Sequence, residues 1–288
     1  MRALAFLLLT LVAFPALATP TPDNQPTEPF KIADGLFYVG ASDVASYLVV
    51  TPAGAILIDS GYDDTVPLIR RSVERLGFDL RDIRILLNTQ AHFDHAGGFA
   101  ELKRLTGARL MVSEPDADVV EQGGRGDFLF AGRNLFPPAR VDRRLRDGDR
   151  VELGGVTLTM HLTAGHTKGC TTWTFDAGDG PNRYHVVVTG GLSVLAGMDL
   201  RGMPAYPGIG RDFAHTFEVM RSLPCDIPLG AHASFFDEID KAKRRGASAA
   251  NPFVDPARYR TFVDQAERRF RETLDKQKGP GVGPAPQD

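Results

Sequence analysis

Four side chains able to bind a metal ion fall within six residues of one another in the run Asn88-Thr89-Gln90-Ala91-His92-Phe93-Asp94-His95-Ala96-Gly97-Gly98: Gln90, His92, Asp94 and His95. Imidazole nitrogen and carboxylate oxygen are the donors that zinc and its neighbours take readily. On an extended segment alternate side chains point the same way, so Gln90, His92 and Asp94 are expected on one face, with His95 turning elsewhere. Gly97 and Gly98 permit tight backbone after the ligands. Such a cluster suits two adjacent ions, Gln90 and His92 on one, Asp94 and His95 on the other. The bland alternative is an exposed loop that merely holds two histidines and a carboxylate, and the density of donors argues against it.

A metal site needs more ligands than this segment supplies. Five other histidines are present: His161, His166, His185, His215 and His232. His166 lies in Thr163-Ala164-Gly165-His166-Thr167-Lys168-Gly169-Cys170, a glycine-flanked turn between two strand patterns. His232 follows a short apolar run in Leu229-Gly230-Ala231-His232-Ala233. Turns held by a rigid scaffold are where ligands usually sit. His161 and His185 fall inside strand patterns and His215 inside a helical one, so these three are expected to be structural or surface residues.

The elements that must position these residues are legible in the periodicity. Short apolar runs at 36–39, 46–50 and 55–59, separated by Gly, Ser, Asp and Pro, predict strands. Helical spacing over 64–76 predicts an amphipathic helix. The apolar run at 83–88 predicts a buried strand leading into the donor cluster; a helix is expected at about 97–105 and a strand at 109–112. Residues 120–140 have no period and predict a long loop of the kind that often serves function. Strands are expected at 150–153, 156–162, 171–176, 184–189 and 226–229, with helices near 212–222, 234–244 and 256–277. No short repeat is present, which excludes a solenoid. Two β-rich halves, roughly 30–140 and 141–277, with helices at their outer edges, predict a four-layered α/β arrangement.

Composition narrows the function classes. Of 288 residues 43% are apolar and 24% charged, a globular rather than a disordered profile. Lys and Arg number 33 against 36 Asp and Glu, which gives no basic footprint for nucleic acid. Two cysteines exclude a disulfide scaffold and a four-cysteine zinc module. At the start, Arg2, the apolar run 3–14 and Ala16-Leu17-Ala18 predict a secretory signal cleaved after Ala18, and hence a periplasmic or secreted protein. The apolar stretch is short for a membrane span. Residues 19–29 are expected to be a flexible leader, 30–277 one domain, and the Gly/Pro-rich 278–288 a disordered tail.

The chain resembles the metallo-β-lactamase superfamily, and within it the zinc β-lactamases of class B, subclass 3. The superfamily pattern H-x-H-x-D-H, a later Gly-His and a final His correspond here to Gln90-x-His92-x-Asp94-His95, Gly165-His166 and His232. The subclass likeness extends through Gly165-His166-Thr167-x-Gly169, Thr171-Thr172-Trp173, Gly191-Leu192-Ser193 and Leu223-Pro224-Cys225-Asp226, and covers roughly 30–277. It implies the four-layered αβ/βα sandwich and up to two zinc ions. Gln90, His92 and His166 would hold the first ion, and Asp94, His95 and His232 the second.

The implied activity is opening of the β-lactam ring of penicillins, cephalosporins or carbapenems by a zinc-activated hydroxide. Asp94 would orient the nucleophile and relay its proton, and Ser193 would contact the substrate carboxylate. The loop 123–138 would wall the groove, with Phe128 and Phe130 as apolar contacts. The implied partner is a small-molecule β-lactam, with no nucleic acid and no membrane after signal cleavage, and the chain is expected to act as a monomer.

Two departures from the family pattern stand out. Gln90 replaces the first histidine, and an amide oxygen is a poorer zinc ligand than imidazole, so the first site is expected to be the weaker. Gly191 occupies the position at which many superfamily hydrolases carry a metal-bridging aspartate, which argues against thioester hydrolases of the glyoxalase II type. The resemblance pairs the position of Cys225 with a cysteine near 251; Asn251 stands there, so Cys170 and Cys225 are expected to be free thiols. The alternatives are a lactonase or phosphodiesterase of the same fold, or a non-catalytic zinc-binding periplasmic protein.

Overall fold

A computed structural model describes residues 21–279. The signal segment 1–18, and the tail from 280 onward, lie outside the described residues. Seven strands form the first sheet, in the order of the chain: β1 (Phe30–Ala33), β2 (Leu36–Tyr38), β3 (Tyr47–Thr51), β4 (Gly54–Ile58), β5 (Ile83–Leu87), β6 (Arg109–Ser113) and β7 (Arg143–Leu145). Five form the second: β8 (Arg150–Leu153), β9 (Val156–Leu162), β10 (Thr171–Asp179), β11 (Asn182–Thr189) and β12 (Ile227–Gly230). The α-helices are α1 (Val66–Arg75), α2 (Phe93–Ala96), α3 (Phe99–Thr106), α4 (Glu114–Glu121), α5 (Ile209–Ser222), α6 (Glu238–Lys243) and α7 (Pro256–Lys278).

Period-two alternation sorts the apolar residues into layers. Ile56 and Ile58 of β4, Ile85 and Leu87 of β5, and Val186 and Val188 of β11 fall in one cluster between the sheets, with Trp173 and Phe175. Leu57 and Leu86 face the opposite way, against Ile69 and Val73 of α1 and Phe99 and Leu102 of α3. Val187 likewise faces outward, against Phe213 and Phe217 of α5 and Val263 and Phe270 of α7. Three apolar interfaces separating helix, sheet, sheet and helix are the four layers anticipated above. The mostly continuous apolar runs of β4 and β5 follow, because a strand covered on both faces has no polar side.

Several elements differ from the sequence expectation, among them β1, which precedes the first strand foreseen. Residues 114–121 form α4 where only the approach to a loop was foreseen; Pro115 in its first turn and the acidic Glu114 and Asp116 are its start signals. β7 is too short and polar to stand out, yet it closes the parallel edge of the first sheet. The leader is not free over its described part. Asn24 is buried and joins Asp64 and Thr65 through its side chain, while the Asp23 carbonyl accepts from the backbone of Asp43 and Val44.

β4 to β7 run parallel, as do β11 and β12. Their carboxyl ends therefore release loops along shared edges of the two sheets. Asp59 follows β4, the donor cluster follows β5, the Gly190–Ser193 segment follows β11, and His232 follows β12.

Candidate metal centre

Trp173 and Thr171 of β10 pin the start of the donor cluster. Trp173 Nε1 donates to the Asn88 carbonyl at 2.9 Å, and Thr171 Oγ1 to the same oxygen at 2.9 Å. The buried carboxylate of Asp116, in α4, then ties two ligand segments together. It accepts from Ala91 N at 2.9 Å, from Thr167 Oγ1 at 2.7 Å and from Gly169 N at 2.7 Å. The cluster and the His166 turn are thus fixed by one group that sequence reasoning missed.

The extended-segment reading of the cluster requires correction. His92 is extended and caps α2, but Asp94 and His95 lie inside that helix. The turn carries His95 back toward Asp94 rather than away from it. His95 Nε2 is 3.2 Å and His232 Nε2 is 3.7 Å from Asp94 Oδ2. One ligand atom from each of these three residues lies within 4.8 Å of the others.

Gln90, His92 and His166 gather on the other side. The rings of His92 and His166 are 4.8 Å apart. Gly191 shows how tightly this side is drawn: a Cβ there would stand 2.4 Å from His166 Cδ2 and 2.8 Å from Gln90 Oε1. Gly165, before the ligand turn, has φ of +137° and the Phe213 ring 2.6 Å from where its Cβ would be, so glycine is required there too.

Each imidazole has one nitrogen facing an acceptor. His95 Nδ1 meets Asp59 Oδ2 at 3.2 Å, His232 Nδ1 meets Asp43 Oδ2 at 3.1 Å, and His166 Nδ1 meets the Ser193 carbonyl at 2.7 Å. This is how metal-binding histidines are oriented: the outer nitrogen donates and leaves the inner one bare. His92 has Asp127 Oδ2 3.5 Å from Nε2, on the loop expected to wall the groove. Asp127 Oδ1 also accepts from Leu129 N and Phe130 N, and the Phe130 ring packs 4.9 Å from His92. Phe128 instead stacks edge-on to Tyr206 at 5.0 Å. Ser193 is exposed, with Oγ 3.2 Å from His166 Nδ1. Asp43, Asp59 and Asp127 were not singled out from sequence.

Electrostatics divide the two sides. Burial pushes the Asp94 carboxyl up, but His95 and His232 outweigh it and hold the group well below the usual carboxylate range. Burial lowers His95, yet the Asp94 and Asp59 carboxylates raise it to about 10 in the metal-free protein. His166 is lowered to about 3 by burial and by the neighbouring His92, so it is a neutral imidazole with a free lone pair.

The donor set fits a divalent cation. Gln90 Oε1 and His95 Nε2 are buried and make no hydrogen bond. Leaving a buried polar atom unpaired costs about 1–3 kcal/mol, and a cluster of them is explained by a ligand they meet. His161, His185 and His215 stand apart, paired with Thr174, Asp176 and Glu218. Cys170 and Cys225 are both free thiols. Asn251 instead donates from Nδ2 to the Ile32 carbonyl at 2.9 Å.

The fold and this centre place the chain among metal-dependent hydrolases, and comparison gives the family. Residues 39–180 match the metallo-beta-lactamase superfamily. The native FEZ-1 metallo-beta-lactamase from Legionella gormanii is 44% identical, covering 90% of this chain and 100% of its own, with a TM-score of 0.88. The class B3 di-zinc metallo-beta-lactamase LRA-12 from an Alaskan soil metagenome is 35% identical over 92% and 100% of the two chains, with a TM-score of 0.84. Among curated relatives, hydroxyacylglutathione hydrolase from Bradyrhizobium sp. (strain ORS 278) is 30% identical over 50% of this chain. The chain spans about half the length of that relative, 48%. The chain belongs to the metallo-β-lactamase superfamily.

Proposed function

We propose that the chain is a zinc-dependent hydrolase that opens the β-lactam ring of penicillins, cephalosporins or carbapenems. The observation that carries this reading is the two-sided cluster itself, with Asp94, His95 and His232 on one side and Gln90, His92 and His166 on the other. Whole-length likeness to β-lactamases at 35–44% identity supports the substrate class. The thioester-hydrolase relatives match only about half their length, and Gly191 offers no carboxylate for a bridging role.

Gln90, His92, His166, Asp94, His95 and His232 would hold zinc, which when bound would lower the pKa of a coordinated water to about 7 and polarise a carbonyl. The chain's own residues do the rest. Asp94 is ionised at neutral pH, so its carboxylate orients the attacking water, accepts its proton and returns it to the lactam nitrogen as the C–N bond breaks. Ser193, exposed beside His166, donates to the substrate carboxylate. Phe130 keeps the His92 side dry, where fixed dipoles and charges act more strongly than in water.

Among the described residues no helix is long and apolar enough to cross a membrane. The signal pattern at 1–18 supports export, where β-lactams are met. Zinc content measured beside turnover of a carbapenem, a cephalosporin, a lactone, a phosphodiester and a thioester tests the reading. Zinc-dependent turnover confined to the two lactams is expected. Faster turnover of any other member would overturn it.

A further inference from the structure

A groove of about 380 Å³ lies between α7 and the 192–194 and 234–235 segments. It is lined by Ser193 and Ser234, by the rings of Phe235 and Phe262, and by Arg258 and Arg269 of α7. Both serines belong to the supports of the centre. The Ser193 carbonyl holds His166, and Ser234 N donates at 2.8 Å to Asp43, the carboxylate that meets His232. The aromatic residues continue the path outward: the His232 ring lies 5.3 Å from Phe235, which lies 4.9 Å from Phe262. The groove therefore adjoins the supports of the centre.

Its two cations differ. Arg258 Nε is 3.2 Å from Asp237, so its charge is already answered. Among the described residues Arg269 has no ion-pair partner, whereas Glu267, two residues before it, is taken by Arg221 and Arg271. An apolar, aromatic-lined channel ending near one unanswered guanidinium is complementary to an aryl group carrying an anion.

We propose that this groove is an extended subsite for the side-chain substituent of the substrate, and that Arg269 favours substituents bearing a carboxylate or sulfonate on an aromatic ring. This rests on the β-lactamase reading above. The test uses the full-length zinc-loaded protein and three cephalosporins of one nucleus, whose substituent is a neutral aryl, a carboxyaryl or an ammonioaryl group. KM for each charged compound is divided by KM for the neutral one in the same protein.

In the natural protein the carboxyaryl ratio should be about 1.5-fold to fivefold below one, the effect of one exposed ion pair. Arg269→Ala should bring it to one. Arg269→Glu should invert it, so that the ammonioaryl compound binds better. Arg269 is exposed, so neither variant is expected to perturb folding, and melting temperatures check this. Equal ratios in all three proteins would overturn the subsite while leaving the activity in place. No turnover of even the neutral compound would contradict the β-lactamase reading, and the subsite with it.

Discussion

The two sides of the metal centre are built to different standards. On the Asp94 side three ionisable donors converge, and both imidazoles are hydrogen-bonded from behind by carboxylates, His95 by Asp59 and His232 by Asp43. On the Gln90 side an amide stands with two imidazoles. His166 is held by a backbone carbonyl, and His92 has only the more distant carboxylate of Asp127. A carboxylate behind an imidazole raises its basicity as well as fixing its tautomer. The comparison teaches that ligand identity and outer support reinforce one another on one side and are both weaker on the other. The proposed pair of cation sites would thus be a strong one beside a softer one.

The largest effect should come from removing a ligand on the strong side. His232→Ala leaves Asp94 and His95 without their third donor, and should weaken zinc binding beyond the roughly 100-fold that loss of an outer partner can cost. Competition with a chromophoric chelator measures it. Equal losses in His232→Ala and Gln90→Ala would break the comparison.

Next in size is the support behind His95. Asp59→Asn keeps a residue that tolerates the left-handed backbone at this position, where φ is 61°. It removes the charge that faces His95 Nδ1 and lowers zinc affinity by about 10–100-fold. An affinity within twofold of the natural protein would show that Asp59 serves only Thr89, accepting from its N and its Oγ1.

A smaller effect is expected behind His92. Asp127→Asn should weaken the Gln90-side ion by a few-fold, below the about 10-fold lower bound for a closely bonded outer partner, because the Asp127 carboxylate stands 3.5 Å from His92 Nε2. The tighter ion should be unaffected. Loss of both ions together would mean that the two sides are not separable.

Much of this candidate centre was legible in the chain because its donors are concentrated: four in the 90–95 segment, and two histidines at turns after strand patterns. The layers were legible because period-two alternation assigns Leu57 and Ile58 to different faces. The outer carboxylates were not. Asp43, Asp59 and Asp127 lie 189, 36 and about 35 residues from the histidines they support, and one aspartate in a loop carries no periodic signal. The turn at α2 was foreseen only from His95 onward and not for Asp94, since a donor every second residue imitates a strand. Asp94 and His95 meet only because the backbone coils there. The start of α4 could have been found from Ser113-Glu114-Pro115, a helix-start pattern overshadowed by the glycines that follow.

The unequal-sides account is tested most directly by titrating the metal-free protein with zinc, in its natural form and as Gln90→His. The account predicts two binding steps in the natural protein with clearly separated affinities. In Gln90→His the weaker step should tighten while the stronger stays in place, so that two ions survive dialysis conditions under which the natural protein keeps fewer. A single class of sites in the natural protein, or two ions retained equally by both forms, would contradict it.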